Sequence, residues 1–264
     1  MSQLETSIWA QLNKLQGKQF LLTGDFNQFG PVWDSWAGVP VHEEAFRNSS
    51  FYHHLAGGVR LTLREGRRSD MVLFDFYSSL IEGGDRFTQP LAKMLEAARA
   101  ICTHQGPAPH NLVISHRRRI LLNRQLNKTF LPADVTPRFI RCVPKKGQQC
   151  AAQNMFIWPG LTLLGCVQAS KRSVRNNVLY RVVAIAEDTV TLQPVEGEAQ
   201  AFELSISQTS EWLRLPFAQT FASCQGGEFT APLRIHDTTN VHFTRRHLFV
   251  AMSRAKECAN LAIA

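Results

Sequence analysis

The hydrophobic positions of this chain follow a helical period in some segments and an extended period in others. Apolar residues recur on one helical face over residues 4–15, after Ser2-Gln-Leu-Glu5, which has the spacing of a capping box, and before Gly17. The pattern predicts further helices over Glu43–Ala56, Met71–Ile81 and residues 117–130. Short apolar runs predict strands over Gln19–Thr23, Val59–Leu63 and residues 111–115. This alternation predicts an α/β fold with a parallel sheet that helices cover on both faces.

The pattern changes between Phe139 and Pro194, where short β-rich pieces follow one another without helices. Asn176-Asn177 and Glu187-Asp188 lie between these pieces as turn signals. We therefore expect a small antiparallel β module inserted into the α/β domain. Strand and helix patterns return in FAQTFASCQG (217–226), PLRIH (232–236) and HLFVAMSRAK (247–256).

The charge of the chain is concentrated in its middle. The net charge is +8, but residues 60–180 carry nineteen basic and seven acidic side chains, a net charge of +12, while the segments on either side are each −2. Asp134 is the only acidic residue between Ala97 and Ala186. Segregation of one sign is typical of phosphate binding and favours a nucleic-acid partner over a merely soluble basic surface.

Other bulk features indicate the compartment. Hydrophobic residues make up 44% of the chain and charged residues 19%, which is a globular composition. The six cysteines are scattered without a Cys-x-x-Cys pair, and the N-terminal residues lack a signal-peptide pattern. We expect a soluble intracellular protein without a metal site of its own, and the nucleus or another DNA-containing compartment stays open.

Four stretches carry candidate chemistry: GDFNQFGPV (24–32), LREGRRSD (63–70), TFASCQGGEF (220–229) and HLFVAMSRAK (247–256). The first places the carboxylate of Asp25 and the carboxamide of Gln28 at the end of a predicted strand. In open α/β sheets that edge is where ligands bind. A lone glutamine in such a loop often only caps the loop itself, so its significance depends on the other three stretches.

In this order and spacing the stretches resemble the motifs of superfamily-one ATP-dependent DNA helicases, the group with PIF-type, RecD-like and UvrD-like enzymes. The resemblance implies that Gln28 and Asp25 face the terminal phosphate of ATP and that Arg254 is an arginine finger. It implies a phosphate contact for Arg67, with Arg68 as a near-equal candidate. Gly226 and Glu228 are implied at the nucleotide, although Glu228 also fits plain surface.

The same resemblance implies two RecA-like lobes. Residues 1–58 would end the first lobe, residues 59–138 and 214–264 would form the second, and residues 139–213 would be an inserted small antiparallel β-barrel module facing single-stranded DNA. Trp158, Phe156 and Tyr180 suit base stacking or the core of the module equally well. The expected DNA-binding residues are Thr220, His116, Arg117, Lys145, Lys146, Lys171, Arg172 and Arg175.

The chain also departs from the helicase pattern. It has no Gly-x-x-x-x-Gly-Lys-Ser/Thr phosphate loop and no Asp-Glu pair for magnesium, and Ala222 and Ser223 replace the usual His and Lys of the third stretch. We therefore expect the sequence to start inside a longer gene product and to hydrolyse ATP poorly alone. The parent would use ATP and Mg²⁺, whose ligands lie mostly outside this chain, to move 5′-to-3′ on single-stranded DNA. The alternatives are an inactive nucleic-acid-binding remnant and an RNA helicase of the same superfamily.

Overall fold

The computed structural model describes residues 5–15, 17–31, 34–41, 45, 47–59, 61–63, 65–142, 153–167, 173–197 and 200–264. They divide into two compact units. The first unit comprises Met1–Leu95 and Thr244–Ser253, and the second comprises Glu96–Phe243 and Arg254–Ala264. Among the helices of the described residues, none has the length and apolar character needed to cross a membrane.

The helices of the described residues are α1 (Thr6–Leu12), α2 (Ser50–Leu55), α3 (Met71–Ser79), α4 (Leu91–Ile101), α5 (His116–Thr129), α6 (Ile206–Trp212) and α7 (Arg245–Met252), with a 3₁₀ turn at Cys258–Asn260. The strands are β1 (Ser35–Trp36), β2 (Val39–Pro40), β3 (His110–Val113), β4 (Arg138–Ile140), β5 (Met155–Ile157), β6 (Thr162–Gly165), β7 (Leu179–Ile185), β8 (Thr189–Pro194), β9 (Phe202–Ser205), β10 (Leu213–Arg214), β11 (Ala218–Thr220), β12 (Leu233–Ile235) and β13 (Leu261–Ile263).

Helix α1 begins where a distant carboxylate satisfies its first turn. The backbone N–H and the hydroxyl of Thr6 donate to Asp34, at 2.9 and 2.7 Å. Ser2 of the predicted capping box lies outside the described residues, and Glu5 makes no side-chain capping hydrogen bond. Asp34 therefore caps the N-terminus of this helix, a role that the sequence predicts for Ser2 and Glu5. The first N–H groups of a helix need such an acceptor because they have no partner within the helix.

Two predicted strands of the first unit are wrong. Gln19–Thr23 is irregular, and Leu21 is 93% exposed. The described residues of Val59–Leu63 are irregular too, and Leu63 is 95% exposed. No strand lies beside either segment within the described residues, and an apolar run becomes a strand only where a neighbour can pair with its backbone. The helix predicted over Glu43–Ala56 includes α2, which begins after the capping residue Ser49, while residues 42–44 and 46 lie outside the described residues.

The second unit contains the predicted parallel sheet. Its strand order is β11-β3-β12-β13, and every neighbouring pair is parallel. β3 is almost wholly buried, and α5 follows it after Ser115, whose hydroxyl accepts from the N–H of Arg118 at 3.2 Å. The α/β fold class predicted from the sequence is confirmed.

The inserted β module is a five-stranded antiparallel sheet with the order β10-β6-β7-β8-β9, accompanied by the two-stranded β4–β5 ribbon. A single hydrophobic core fills it, and Trp158 and Tyr180 belong to that core. Gly165 at the end of β6 is needed for close packing, because a Cβ there would lie 2.0 Å from the carbonyl oxygen of Arg175. The module thus has the packed interior of a small folding unit.

Candidate functional site

The loop around Asp25 is organised by its own carboxylate. Asp25 Oδ1 accepts from the backbone N–H of Asn27 at 2.8 Å and from its side-chain Nδ2 at 3.0 Å. Asp25 Oδ2 accepts from Gln28 Nε2 at 3.4 Å. The Gln28 carboxamide is therefore held within the loop by a long hydrogen bond to Asp25.

Helix α7 of the same unit supports this loop. Arg246 Nη2 donates to the carbonyl of Phe26 at 3.4 Å, and the rings of Phe29 and His247 meet edge to face with centroids 4.7 Å apart. On the other side, the guanidinium of Arg47 lies over the Phe26 ring at 5.6 Å. Packing of Phe26 and Phe29 thus fixes the loop on both sides of Gln28 and adds to the contacts that Gln28 itself makes with Asp25.

Arg67 and Arg68 lie on an exposed segment of the first unit. The side chain of Arg67 is 88% exposed and its Nη2 lies 3.1 Å from Glu65 Oε2. Ion pairs this exposed contribute little to stability. Arg67 is consequently held only by a weak surface ion pair, and Arg68 is also exposed.

In the second unit, the segments 220–229 and 254–256 come together. The N–H of Phe229 donates to the carbonyl of Arg254 at 2.8 Å, and Phe229 forms a parallel bridge with Ala255. Lys256 Nζ lies 4.0 Å from Glu228 Oε2. Two stretches about thirty residues apart in the sequence therefore run side by side.

Arg254 is a buried arginine, only 4% exposed. Burial raises the pKa of the Cys224 thiol to about 12, and the positive charge of Arg254 lowers this pKa by a smaller amount. Because an arginine stays charged in proteins, a guanidinium this far from water brings a fixed positive charge into the interior of the unit. Cys224 is a member of this cluster that sequence reasoning missed, since a lone cysteine carries no local signal.

The start of the segment 220–229 is a tight turn. Thr220 N–H donates to Ser223 Oγ at 3.0 Å, and Ser223 N–H donates to Thr220 Oγ1 at 3.3 Å. The exposed Ala222 lies within this turn, and Gly226 follows with φ +88°, a left-handed conformation that favours glycine. Ser223 stabilises the turn through these hydrogen bonds, but it does not bring the positive charge that a lysine at this position would have.

The carboxyl ends of β3 and β12 are joined by an aspartate. Asp237 Oδ2 accepts from the N–H of Ile114 at 2.9 Å, and Oδ1 lies 4.0 Å from Arg118 Nε. His116 and Arg117 are exposed in the first turn of α5, and burial, together with Arg119 and Arg214, lowers the pKa of His116. Sequence reasoning missed Asp237, although its position directly after an apolar strand was a usable signal.

The structure describes only one of the basic residues predicted to bind DNA in the β module. Lys145, Lys146, Lys171 and Arg172 lie outside the described residues, whereas Arg175 is exposed. Trp158 and Tyr180 are buried in the module core, and the Tyr180 hydroxyl accepts from the N–H of Arg175 at 2.8 Å. These two aromatic rings are therefore structural, and only Phe156 of the three candidates is partly exposed.

The predicted residues fall in both units. Asp25, Gln28 and Arg67 belong to the first, and Arg254 belongs to the second with the following residues: Thr220, Gly226, Glu228, His116, Arg117 and Arg175. Within the described residues no three His, Cys, Asp or Glu side chains are arranged to hold a metal ion.

Comparison with known proteins identifies the fold. No protein-family model matches the sequence, and no curated protein matches it. The structure of a Pif1 helicase from Candida albicans matches with a TM-score of 0.58 at 17% identity, over 91% of this chain and 63% of that one. A Pif1 helicase from Bacteroides in complex with ADP-AlF3 and single-stranded DNA matches with 0.57 at 16% identity, over 91% and 60%. Bacteroides Pif1 bound to single-stranded DNA matches with 0.54 at 16% identity, over 89% and 61%.

These likenesses show that the chain shares the fold of these Pif1 helicase structures. The chain spans less than two thirds of the length of each of these solved structures. At such low identity the similarity concerns the fold, and the function has to be argued from the side chains.

Proposed function

We propose that this chain is part of the motor of a superfamily-one ATP-dependent DNA helicase. The observation that carries the proposal is the side-by-side arrangement of segments 220–229 and 254–256, joined by the Phe229–Arg254 hydrogen bond, in a helicase-like fold. Both segments resemble helicase motifs in sequence, and their contact is a tertiary feature that the sequence resemblance does not itself supply. The lobe boundaries that we propose are those predicted from the sequence: residues 1–58, then 59–138 with 214–264, with the insertion at 139–213.

In this proposal the nucleotide is read by one amide and two guanidinium groups. Gln28, with Asp25, senses the terminal phosphate, Arg67 or Arg68 neutralises it, and Arg254 acts as the arginine finger; Gly226 and Glu228 border the nucleotide. Phosphoryl transfer needs positioned cations around developing negative charge, and an arginine finger supplies about 10³–10⁵ in rate. The Bacteroides neighbour in complex with ADP-AlF3 supports a nucleotide as the ligand.

The proposed second ligand is single-stranded DNA, which the basic second unit would bind through its phosphates. Thr220, His116, Arg117 and Arg175 are the described candidates, with Lys145, Lys146, Lys171 and Arg172 as further proposed contacts. Two solved neighbours are complexes with single-stranded DNA, which supports this partner. ATP hydrolysis coupled to 5′-to-3′ movement is the activity proposed for the whole protein, with ATP and Mg²⁺ as its cofactors.

A direct test of the DNA part measures binding of a fluorescein-labelled oligothymidylate to the chain by anisotropy between about 50 and 200 mM salt. We expect log K to fall linearly with log salt, and Arg117→Glu to weaken binding several-fold. Lys14→Glu, at an exposed cation of the acidic N-terminal segment, is the matched control. An affinity that does not change with salt would contradict the proposal. The same titration with an oligouridylate of equal length tests RNA, and tighter binding of this RNA than of the DNA would favour an RNA helicase.

A second test concerns the nucleotide. In a protein that also provides a phosphate loop, Arg254→Ala should lower DNA-stimulated ATP hydrolysis by about 10³-fold or more while DNA affinity stays within about twofold. Unchanged turnover would refute the finger assignment. The binding-only alternative would stand if DNA binds with no nucleotide dependence.

A further inference from the structure

The β4–β5 ribbon presents an aromatic pair on its exposed face. Phe139 and Phe156 are direct cross-strand partners, with ring centroids 5.2 Å apart and ring planes at 53°. Phe139 is 51% exposed, whereas Ile140 and Met155, the next pair in register, are 1% exposed. Since successive side chains of a strand point to opposite faces, the ribbon buries Ile140 and Met155 in the module core and leaves the Phe139 ring exposed on the other face. Phe156 is partly buried, and its ring joins the exposed Phe139 to the edge of the core.

Hydrogen bonds from side chains outside the two strands fix the ribbon that carries this pair. Asn127 of α5 accepts from the N–H of Phe156 at 2.8 Å and donates to its carbonyl at 3.0 Å. Beyond β4, the N–H of Cys142 donates to Asn154 Oδ1 at 2.9 Å. An aromatic side chain on an anchored ribbon loses little further conformational freedom when it binds, which favours its use as a contact surface.

Exposed cations lie on the two elements next to the pair, helix α5 and the end of β4. Arg124 and Lys128 are exposed on α5, one helical turn before Asn127 and directly after it, and Arg141 is exposed two residues beyond Phe139. The one acidic residue between Ala97 and Ala186 is Asp134. Aromatic faces with cations around them are complementary to a ligand that alternates planar bases with phosphates.

We propose that the Phe139–Phe156 pair is a base-stacking site for single-stranded DNA, with Arg124, Lys128 and Arg141 contacting the flanking phosphates. The inference rests on the nucleic-acid part of the proposed function and deepens it by locating a base contact on the ribbon. If the protein bound DNA only through the phosphates, the half-exposed Phe139 on this basic surface would have no role in binding. Stacking is indifferent to base identity, so the site would suit a protein that moves along any sequence.

The test compares two labelled oligomers of ~12 nucleotides, oligothymidylate and an abasic deoxyribose-phosphate strand of equal length, each titrated with the whole chain. We expect Phe139→Ala to lower the oligothymidylate affinity about five- to a hundredfold and to leave the abasic affinity within about twofold. Phe139→Trp, which keeps a stacking face, should bind oligothymidylate within about threefold of the parent chain. Val183→Ala, at a residue of β7 that is 45% exposed, is the matched loss of exposed apolar surface and should change neither affinity.

The outcomes separate this inference from the function on which it rests. If Phe139→Ala binds oligothymidylate as well as the parent does, or weakens both oligomers equally, the stacking site is refuted while DNA binding stands. If the parent chain binds neither oligomer, both proposals fail. A circular-dichroism melt of each variant accompanies the titration, and Phe139→Leu, which keeps apolar bulk but has no ring to stack, repeats the comparison should the alanine variant unfold.

Discussion

Asn123 and Asn127 lie one helical turn apart on α5, and each binds both backbone groups of one strand residue, but the two strands belong to different sheets. Asn123 accepts from the N–H of Ala218 and donates to its carbonyl, both at 2.9 Å, at the edge of the parallel sheet. Asn127 does the same for Phe156 in the ribbon of the β module. Each carboxamide replaces the neighbouring strand that the sheet edge lacks, so a single helix fixes the inserted module to the sheet from which it emerges.

We expect Asn123→Leu to be strongly destabilising. The substitution leaves the N–H and carbonyl of Ala218 buried without their partner, at a cost of about 1–3 kcal/mol for each group. Urea unfolding followed by circular dichroism measures the change. Gln125→Ala, at an exposed position of the same helix, is the control and should shift the midpoint little; equal effects of the two variants would contradict the role of Asn123.

Ser205 provides a second stability test, because α6 begins with a complete capping box. Ser205 Oγ accepts from the N–H of Gln208 at 3.1 Å, and the Gln208 side chain accepts from the N–H of Ser205 at 3.0 Å. Ser205→Ala should cost about 1 kcal/mol of unfolding free energy. The exposed Ser207→Ala on the same helix is the comparison, and a thermal melt in which both variants match the parent would dismiss the capping contribution.

His236 makes stability depend on pH. Burial lowers the pKa of His236 to about 4 from the ordinary 6.5, Arg118 and Arg234 act in the same direction, and Asp237 acts against them. The His236 side chain of the unfolded chain therefore binds a proton near pH 6.5, whereas that of the folded chain binds a proton only near pH 4. Stability due to neutral His236 is complete above pH 6.5 and is lost as the pH falls toward 4.

The tautomer of His236 suggests the variant to use. Asn111 Nδ2 donates to the carbonyls of Ala108 and Phe217, so its Oδ1, 2.8 Å from His236 Nε2, must accept from a protonated Nε2. His236→Gln keeps a donor there and removes the titration. Its unfolding free energy should decline less steeply than that of the parent from pH 6.5 to about 5, with the remaining slope supplied partly by His110, whose pKa burial also lowers to about 4. Identical slopes would exclude His236, and the exposed His242→Gln serves as the control.

The sequence predicted those elements whose signals are local. The helix expected over Met71–Ile81 is α3, and Asp70 caps it by accepting from Leu73 N–H at 2.8 Å. The strand expected at 111–115 is β3, and the helix expected at 117–130 is α5. A capping aspartate and a periodic apolar face act within a few residues, so they can be recognised without knowing the fold.

Elements that depend on distant partners were missed or wrong. Gln19–Thr23 has the composition of a strand but no neighbouring strand in the described structure, whereas the three residues of β13 become a strand because β12 lies beside them. The candidate site shows the same division. Gln28 and Arg254 were recognisable from their motifs, but the hydrogen bond from Phe229 to Arg254 joins residues that no local pattern connects.

The double anchorage of α5 has a practical consequence for protein engineering. Removing residues 139–213 to obtain a minimal α/β domain would take away Phe156, and the Asn127 carboxamide, now 2% exposed, would face water. A deletion variant should therefore also carry Asn127→Lys, while Asn123 has to be retained, because its partner Ala218 remains in the shortened chain.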